Sequence, residues 1–250
     1  LKELRAPGGC DWDREQTHSS LIPYLTEETY EVIEAIEEND SQALKEELGD
    51  LLLHVLFQAE LSSEKGEFNI FDSIDSINNK LIHRHPHVFN KKSNDQSWNQ
   101  KGSWEKSKKE EKKRDSVLEG VPRSLPGLLR SRRIQEKAAS VGFDWKEVEP
   151  IIAKIQEELD EVKDAIDKNQ KEEITMELGD LMFAVVNLSR FYNIDPENAL
   201  KKSTDKFINR FNQIEKQLSK NGSSIENSDL ETMDKIWEEI KLSEKEKLLL

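Results

Sequence analysis

Two pairs of carboxylates have spacings that could support chemistry. Glu28 and Glu31 stand three residues apart, and Glu47 and Asp50 repeat that spacing further on. On a helix, residues so spaced are surface neighbours, with Cβ atoms roughly 5–6 Å apart. If the two helices form an antiparallel hairpin turning near residue 39, Glu31 lies level with Glu47 and Glu28 with Asp50, because both pairs share that midpoint. The whole arrangement returns as Glu158, Glu161, Glu177 and Asp180, with both midpoints at 169. At about 100° per residue the acids lie to one side of each apolar stripe. Four anionic groups beside a core repel one another and stay ionised only with a cation among them. An all-oxygen set suits a hard cation, Mg²⁺, with Mn²⁺ as substitute. A single Glu-x-x-Glu is ordinarily a solvated helix face; two coincident midpoints, each repeated, favour the metal reading.

The elements that must position these acids can be read from periodicity. Leu25, Val32, Ile33 and Ile36 form one helical stripe, and Leu44, Leu48, Leu51, Leu52, Val55 and Leu56 form the next. The turn is "ENDSQ" (38–42), with Asp40 or Ser41 as N-cap. In the second copy Asn169 and Glu172 have the spacing of cap and N3. Gly49 and Gly179 sit inside the acid-bearing helices, where glycine costs about 1 kcal/mol relative to alanine. Their recurrence predicts a close approach there, as do Ala35 and Ala165, which lie between the acids in angle. An isolated αα-hairpin cannot cover its apolar stripes, so further helices or a partner chain are required.

Shifting the chain by 130 residues aligns 27–57 with 157–187 without a gap, and 13 of 31 positions are identical. "CDWD" (10–13) is similar to "FDWK" (143–146), and "NKLIHR" (79–84) to "DKFINR" (205–210). Such a repeat means two copies of one supersecondary unit. The expected fold is all-α: an N-terminal helical domain over 1–92, a polar linker over 93–120 and a C-terminal domain over 121–250, with four-helix-bundle-type cores completed by dimerisation.

The chain has 250 residues, equal hydrophobic and charged fractions of 35%, and a net charge of −14. That balance disfavours nucleic acid and anionic membranes as partners. The single Cys10 excludes an internal disulfide framework and fits a reducing cytosol. The start "LKELRAPGG" has no signal-peptide h-region, and the apolar run near 51–57 is too short to span a bilayer. A cytoplasmic protein is expected.

The pattern Glu27-Glu28-x-x-Glu31…Glu47-x-x-Asp50, repeated as Glu157-Glu158-x-x-Glu161…Glu177-x-x-Asp180, resembles the MazG family of all-α nucleoside triphosphate pyrophosphohydrolases. "LRAPGGCDWDREQTH", "RHPHVF", "VGFDW", "KFINRF" and "ETMDKIWEEIK" look like its other signatures and extend the resemblance over nearly the whole chain. One departure is visible: Glu46 has Met176 as its counterpart. The resemblance implies tandem domains, a homodimer, and Mg²⁺-dependent hydrolysis of NTP or dNTP to the monophosphate and pyrophosphate.

Given that resemblance and the repeat, Lys206 and Arg210, at i, i+4, are expected to contact phosphate, with Lys80 and Arg84 as counterparts. Trp237 and Lys241 form another such pair near the end of the chain, and the Trp could stack a base. Trp12 and Trp145 precede the acid-bearing helices, and either could line a base pocket or simply pack. Glu157 and Glu161 are the candidates to orient the attacking water, and the choice between them stays open. The second copy is favoured as the catalytic one, because it alone has both the "DKFINR" pair and the Trp237/Lys241 tail.

The histidines of "HRHPHVF" are set aside as ligands: Pro86 interrupts them, the second copy lacks them, and Mg²⁺ does not favour imidazole. His54 is set aside because its counterpart is Ala184. A di-iron bundle would need Glu-x-x-His at the acid positions, and neither copy has it. The remaining alternative is a non-catalytic nucleotide sensor or a dimeric helical scaffold.

Overall fold

The structure is a computed structural model that describes residues 1–89 and 115–247. The expected linker therefore lies outside the described residues as far as position 114. The chain divides into two compact units, Leu1–Trp98 and Asn99–Leu250. Among the described residues every regular element is helical, and none is long and apolar enough to cross a membrane.

In the first unit, short helices α1 (Lys2–Arg5) and α2 (Asp11–Glu15) lead into α3 (Ile22–Glu38) and α4 (Ser41–Glu64), followed by α5 (Ile70–Arg84) and α6 (Pro86–Phe89). Pro23 sits in the first turn of α3, where its missing N–H costs nothing. Asn39 then takes a left-handed conformation, φ 56°, and ends the helix. Asp40 caps α4, its Oδ1 accepting from the N–H groups of Gln42 and Ala43 at 2.9 and 3.0 Å. Such a cap contributes about 1 kcal/mol. Leu21, Phe57 and Leu61 form the buried cluster, with Leu1 against it.

The second unit repeats the hairpin in α8 (Glu149–Asp167) and α9 (Lys171–Phe191), preceded by α7 (Gly127–Ser140). It continues into α10 (Pro196–Lys220) and α11 (Leu230–Lys247), which enclose Ile214, Leu218, Ile236 and Ile240. Asn169, at φ 55°, turns the hairpin as Asn39 does. The expected cap by Asn169 is not made: Gln170 holds the cap position, with no side-chain cap bond. A residue committed to the left-handed closure of one helix cannot also take the extended backbone of an N-cap for the next.

The hairpin stripes are only partly covered. Leu25, Val32, Leu44 and Leu51 are half-buried, whereas Ile36 is 56% and Leu52 55% exposed, and Ile33, Leu48, Val55 and Leu56 are exposed with them. The same holds for Leu159, Ile166, Leu178, Met182 and Val185 in the second unit. Ala35 and Ala165 are buried. The close approach expected at Gly49 and Gly179 is not made among the described residues: a Cβ at either would meet nothing within 4 Å. Both glycines face open space among the described residues.

Candidate active site

Helix α8 presents Glu157, Glu158 and Glu161, and α9 presents Glu177 and Asp180. One carboxylate oxygen from each of Glu158, Glu161 and Glu177 lies within 4.8 Å of the other two. Glu158 is only 5% exposed. Its hydrogen bond to Glu161 is the main cause that raises the Glu161 carboxyl above the usual range; burial and the charges of Glu158 and Glu177 add to it. Asp180, the fourth acid of the expected set, is exposed and outside this trio, yet it lines the same cavity as Glu158.

A cation already stands in this acidic group. Lys154 Nζ lies 2.8 Å from Glu157 Oε1 and 2.6 Å from Glu158 Oε1. Hydrogen bonds to Glu157 and then Glu158 hold the ammonium well above the ordinary lysine value. Lys154, Glu158 and Asp180 line one wall of a cavity of about 850 Å³, and Phe143, Trp145 and Phe183 give it apolar surface. Gly142, at φ 92°, adopts a backbone that favours glycine and carries the chain into Phe143. At the same cavity Arg190 donates to Asp144, Nη1 to Oδ2 at 3.0 Å, and holds the loop that bears Trp145 against α9. The cavity thus combines apolar surface with a few charged groups, the usual composition of a small-ligand site.

The first unit gathers the same acids differently. Glu28, Glu47 and Asp50 contribute oxygens within 4.8 Å of one another. Glu31 lies outside that trio but is hydrogen-bonded to both Glu28 and Glu47. Burial, followed by the charges of Glu31 and Asp50, raises the carboxyls of Glu28 and Glu47. His54 Nε2 lies 4.0 Å from Glu28 Oε1, and its Nδ1 is buried without a hydrogen-bond partner. Counting back from the turn, Tyr24 stands where Lys154 stands in the second unit. Phe57, the counterpart of Asn187 in the cavity wall, is buried beneath the Arg5 guanidinium, 5.5 Å from its ring centre. Arg5 Nε in turn reaches Glu64 at 2.6 Å.

Most of the other expected site residues lie elsewhere. Trp145 lines the cavity; Lys206, Arg210, Trp237 and Lys241 do not. Lys206 is exposed on α10. Arg210 pairs with Glu244 at 2.7 Å and lies over the Trp237 ring at 5.3 Å, and Lys241 pairs with Glu238 at 2.6 Å. Trp237 packs against the α10–α11 core and beside Phe207. Lys80 and Arg84 are half-buried on α5. Trp12 packs edge-on against Tyr24 at 5.8 Å. His85 caps α5, its Nδ1 2.8 Å from the Leu81 carbonyl oxygen.

Sequence reasoning missed Lys154, Asp144, Arg190 and Phe143. For Lys154 there was a signal, since it stands four residues before Glu158, the spacing of a helical ion pair. Asp144 and Arg190 are 46 residues apart, and their pairing depends on how a loop docks on α9.

Acid-bearing helical hairpins, one of them beside a cavity with aromatic walls, define the class: an all-α protein, among its described residues, with carboxylate clusters of a kind able to hold a metal ion. The family model of the MazG nucleotide pyrophosphohydrolase domain matches residues 16–89 and 146–214. A Thermotoga maritima protein named nucleoside triphosphate pyrophosphohydrolase/pyrophosphatase MazG is 49% identical over 243 residues, covering 96% of this chain and 92% of that protein. The Escherichia coli K12 nucleoside triphosphate pyrophosphohydrolase is 42% identical over 253 residues, covering 98% and 95%. One from Mycobacterium tuberculosis is 38% identical over 145 residues, covering 57% and 44%. The chain belongs to the MazG family.

Proposed function

We propose that this chain hydrolyses nucleoside triphosphates, ribo or deoxy, to the monophosphate and pyrophosphate, working in the second unit. The observation that carries this reading is the Glu158–Glu161–Glu177 cluster opening, through Lys154 and Asp180, onto a cavity with aromatic walls. The donor set fits a hard divalent cation: it is all carboxylate, and the hydrogen bond to Glu158, followed by burial and the charges of Glu158 and Glu177, already raises Glu161. Mg²⁺, with Mn²⁺ as substitute, is assigned to Glu158, Glu161 and Glu177, with Asp180 as the further ligand. Glu28, Glu31, Glu47 and Asp50 are the equivalent set in the first unit. Such an ion, when bound, supplies charge for the phosphates and a water acidic enough to act near neutral pH.

The chain's own residues do the remaining work. Glu157 or Glu161 orients the water and takes its proton. The water oxygen ends on the α-phosphorus, and the bond to the bridging oxygen breaks, so pyrophosphate leaves with that oxygen. Lys154 offsets the negative charge gathered at the phosphates. Trp145 and Phe143 offer faces for the base. Lys206, Arg210 and Lys241 are assigned to phosphate and Trp237 to the base on the resemblance alone.

The first unit is proposed to be the non-turning copy. Phe57 and Arg5 fill space whose counterpart in the second unit is cavity, and Tyr24 replaces Lys154. A second copy of the chain is proposed to cover the open stripe of Ile36, Leu48, Leu52 and Val55.

The test is a panel of NTPs and dNTPs with Mg²⁺ or EDTA, products separated by ion exchange, for wild type, Glu177→Gln and Glu47→Gln. Monophosphate plus pyrophosphate is expected, abolished by EDTA. Glu177→Gln is expected to lower turnover by about 100-fold or more, and Glu47→Gln to leave it within a few-fold. Diphosphate plus phosphate would refute the cleavage site. Metal-dependent binding without turnover would leave a nucleotide sensor.

A further inference from the structure

The cavity wall contains an amide whose hydrogen bonding is half complete. Gln135 on α7 is 7% exposed. Its Nε2 donates to the main-chain carbonyl of Phe183 at 2.9 Å, which fixes the amide orientation because a carbonyl accepts only from N–H. Its Oε1 is shut off from water and has no hydrogen-bond partner. Buried acceptors are ordinarily satisfied, so an orphan in a cavity wall points to a ligand donor. One helical turn along α9 from Phe183, Asn187 lines the same cavity. Its Oδ1 accepts from Arg190 Nε at 3.1 Å and Nη2 at 2.7 Å, which leaves the Nδ2 hydrogens facing outward from that pair as donors. The wall therefore offers one acceptor and one donor among aromatic surfaces.

We propose that Gln135 reads the nucleobase, its Oε1 accepting an N–H of the base's hydrogen-bonding edge while Asn187 Nδ2 donates to a ring nitrogen or carbonyl beside it. The proposal rests on the nucleotide reading of this cavity and extends it from phosphate chemistry to base selection. The terminal torsion of a glutamine is soft, so a small rotation that keeps the Phe183 bond turns Oε1 to a base in the cavity. A site built to hydrogen-bond a ring discriminates strongly against an analogue of the same shape that lacks the polar groups, because the buried amide is then left unpaired. The first unit has no equivalent set, since Phe57 stands in the place of Asn187.

The experiment compares dTTP with the triphosphate of 2,4-difluorotoluene deoxynucleoside, a thymine-shaped ring without strong hydrogen-bonding groups. For wild type kcat/KM is expected to favour dTTP by about tenfold or more. In Gln135→Leu, kcat/KM for dTTP falls by a similar factor, the analogue is unchanged, and the preference collapses. Should Gln135→Leu fail to fold, Gln135→Met, closer in shape, carries the same comparison. Preference retained in the variant, or equal loss on both substrates, would overturn the role of Gln135 while leaving the pyrophosphohydrolase reading intact. A wild type that releases pyrophosphate from no natural nucleotide would overturn both.

Discussion

Lys154 and Glu158 lie one helical turn apart on α8, and their side chains meet at 2.6 Å with the carboxylate buried and the lysine stem at the cavity wall. The pair places a permanent positive charge in the second unit at a point where the first unit has the phenol of Tyr24. Replacing Lys154 by Met keeps most of the stem and removes the charge. Turnover is expected to fall by about 10- to 100-fold and the thermal unfolding midpoint to fall as well, because buried Glu158 loses its partner. Steady-state kinetics at a temperature where the variant is folded, beside a melting curve, separate the two.

The repulsion among Glu158, Glu161 and Glu177 gives a test that needs no substrate. Glu161→Gln relieves it, so in EDTA this variant is expected to unfold at a higher temperature than wild type. With saturating Mg²⁺ the order reverses, because wild type gains more from binding the ion. An unchanged order in both conditions would argue against a cation among these acids.

Acid stability of the first unit depends partly on Glu64. Its hydrogen bond to Arg5 is the main cause that lowers the carboxyl below its ordinary value of 4.5, against an opposing effect of burial. A depressed folded-state value stabilises above the unfolded value, and that contribution is lost as pH falls through the folded one. Glu64 is 42% exposed at the side chain, so the contribution is about 0.5 kcal/mol. The melting difference between wild type and Glu64→Gln is therefore expected to be full near neutral pH and to close below about pH 4.

Arg210 is engaged on α10 and α11, so its removal has a structural signature. Arg210→Ala is expected to cost about 1–2 kcal/mol through the lost Glu244 pair and the lost Trp237 contact. Chemical denaturation measures this. A rise in KM beyond that of a comparably destabilised control would support the phosphate contact that the family resemblance implies.

The open stripe is the place to test association. Leu52→Asp puts a charge at the centre of the proposed interface and is expected to weaken the dimer by about 100-fold, which corresponds to roughly 3 kcal/mol. Light scattering against concentration would show it. A wild type that stays monomeric at high concentration would remove the proposal.

Much of this was legible from residue spacing. Two periodic stripes and a shared midpoint located both hairpins, and the left-handed residues Asn39 and Asn169 stand at the midpoints themselves. The Asp40 cap is local chemistry and was readable for the same reason. The cavity was not readable, because its walls come from α7, a loop, α8 and α9, and α7 and the loop meet the hairpin only through tertiary packing. The Arg5 guanidinium over Phe57 joins residues 52 positions apart, and spacing rules carry no information at that range. Asn169 misled because two helix ends compete for one residue, and only the backbone decides between them.

The left-handed asparagines have a further consequence for how such a site can change over time. Glu31 and Glu47 are equally distant from Asn39 along the chain, and so are Glu28 and Asp50. The site is thus a palindrome of distances centred on one residue. A single insertion or deletion on either arm would rotate one pair of acids by about 100° away from the other, so length changes near the centre are tolerated only as matched additions on both sides. Substitutions can drift freely around the hairpin, but its residue count is locked, and two copies that have diverged in most side chains can still keep the same number of residues between their acids.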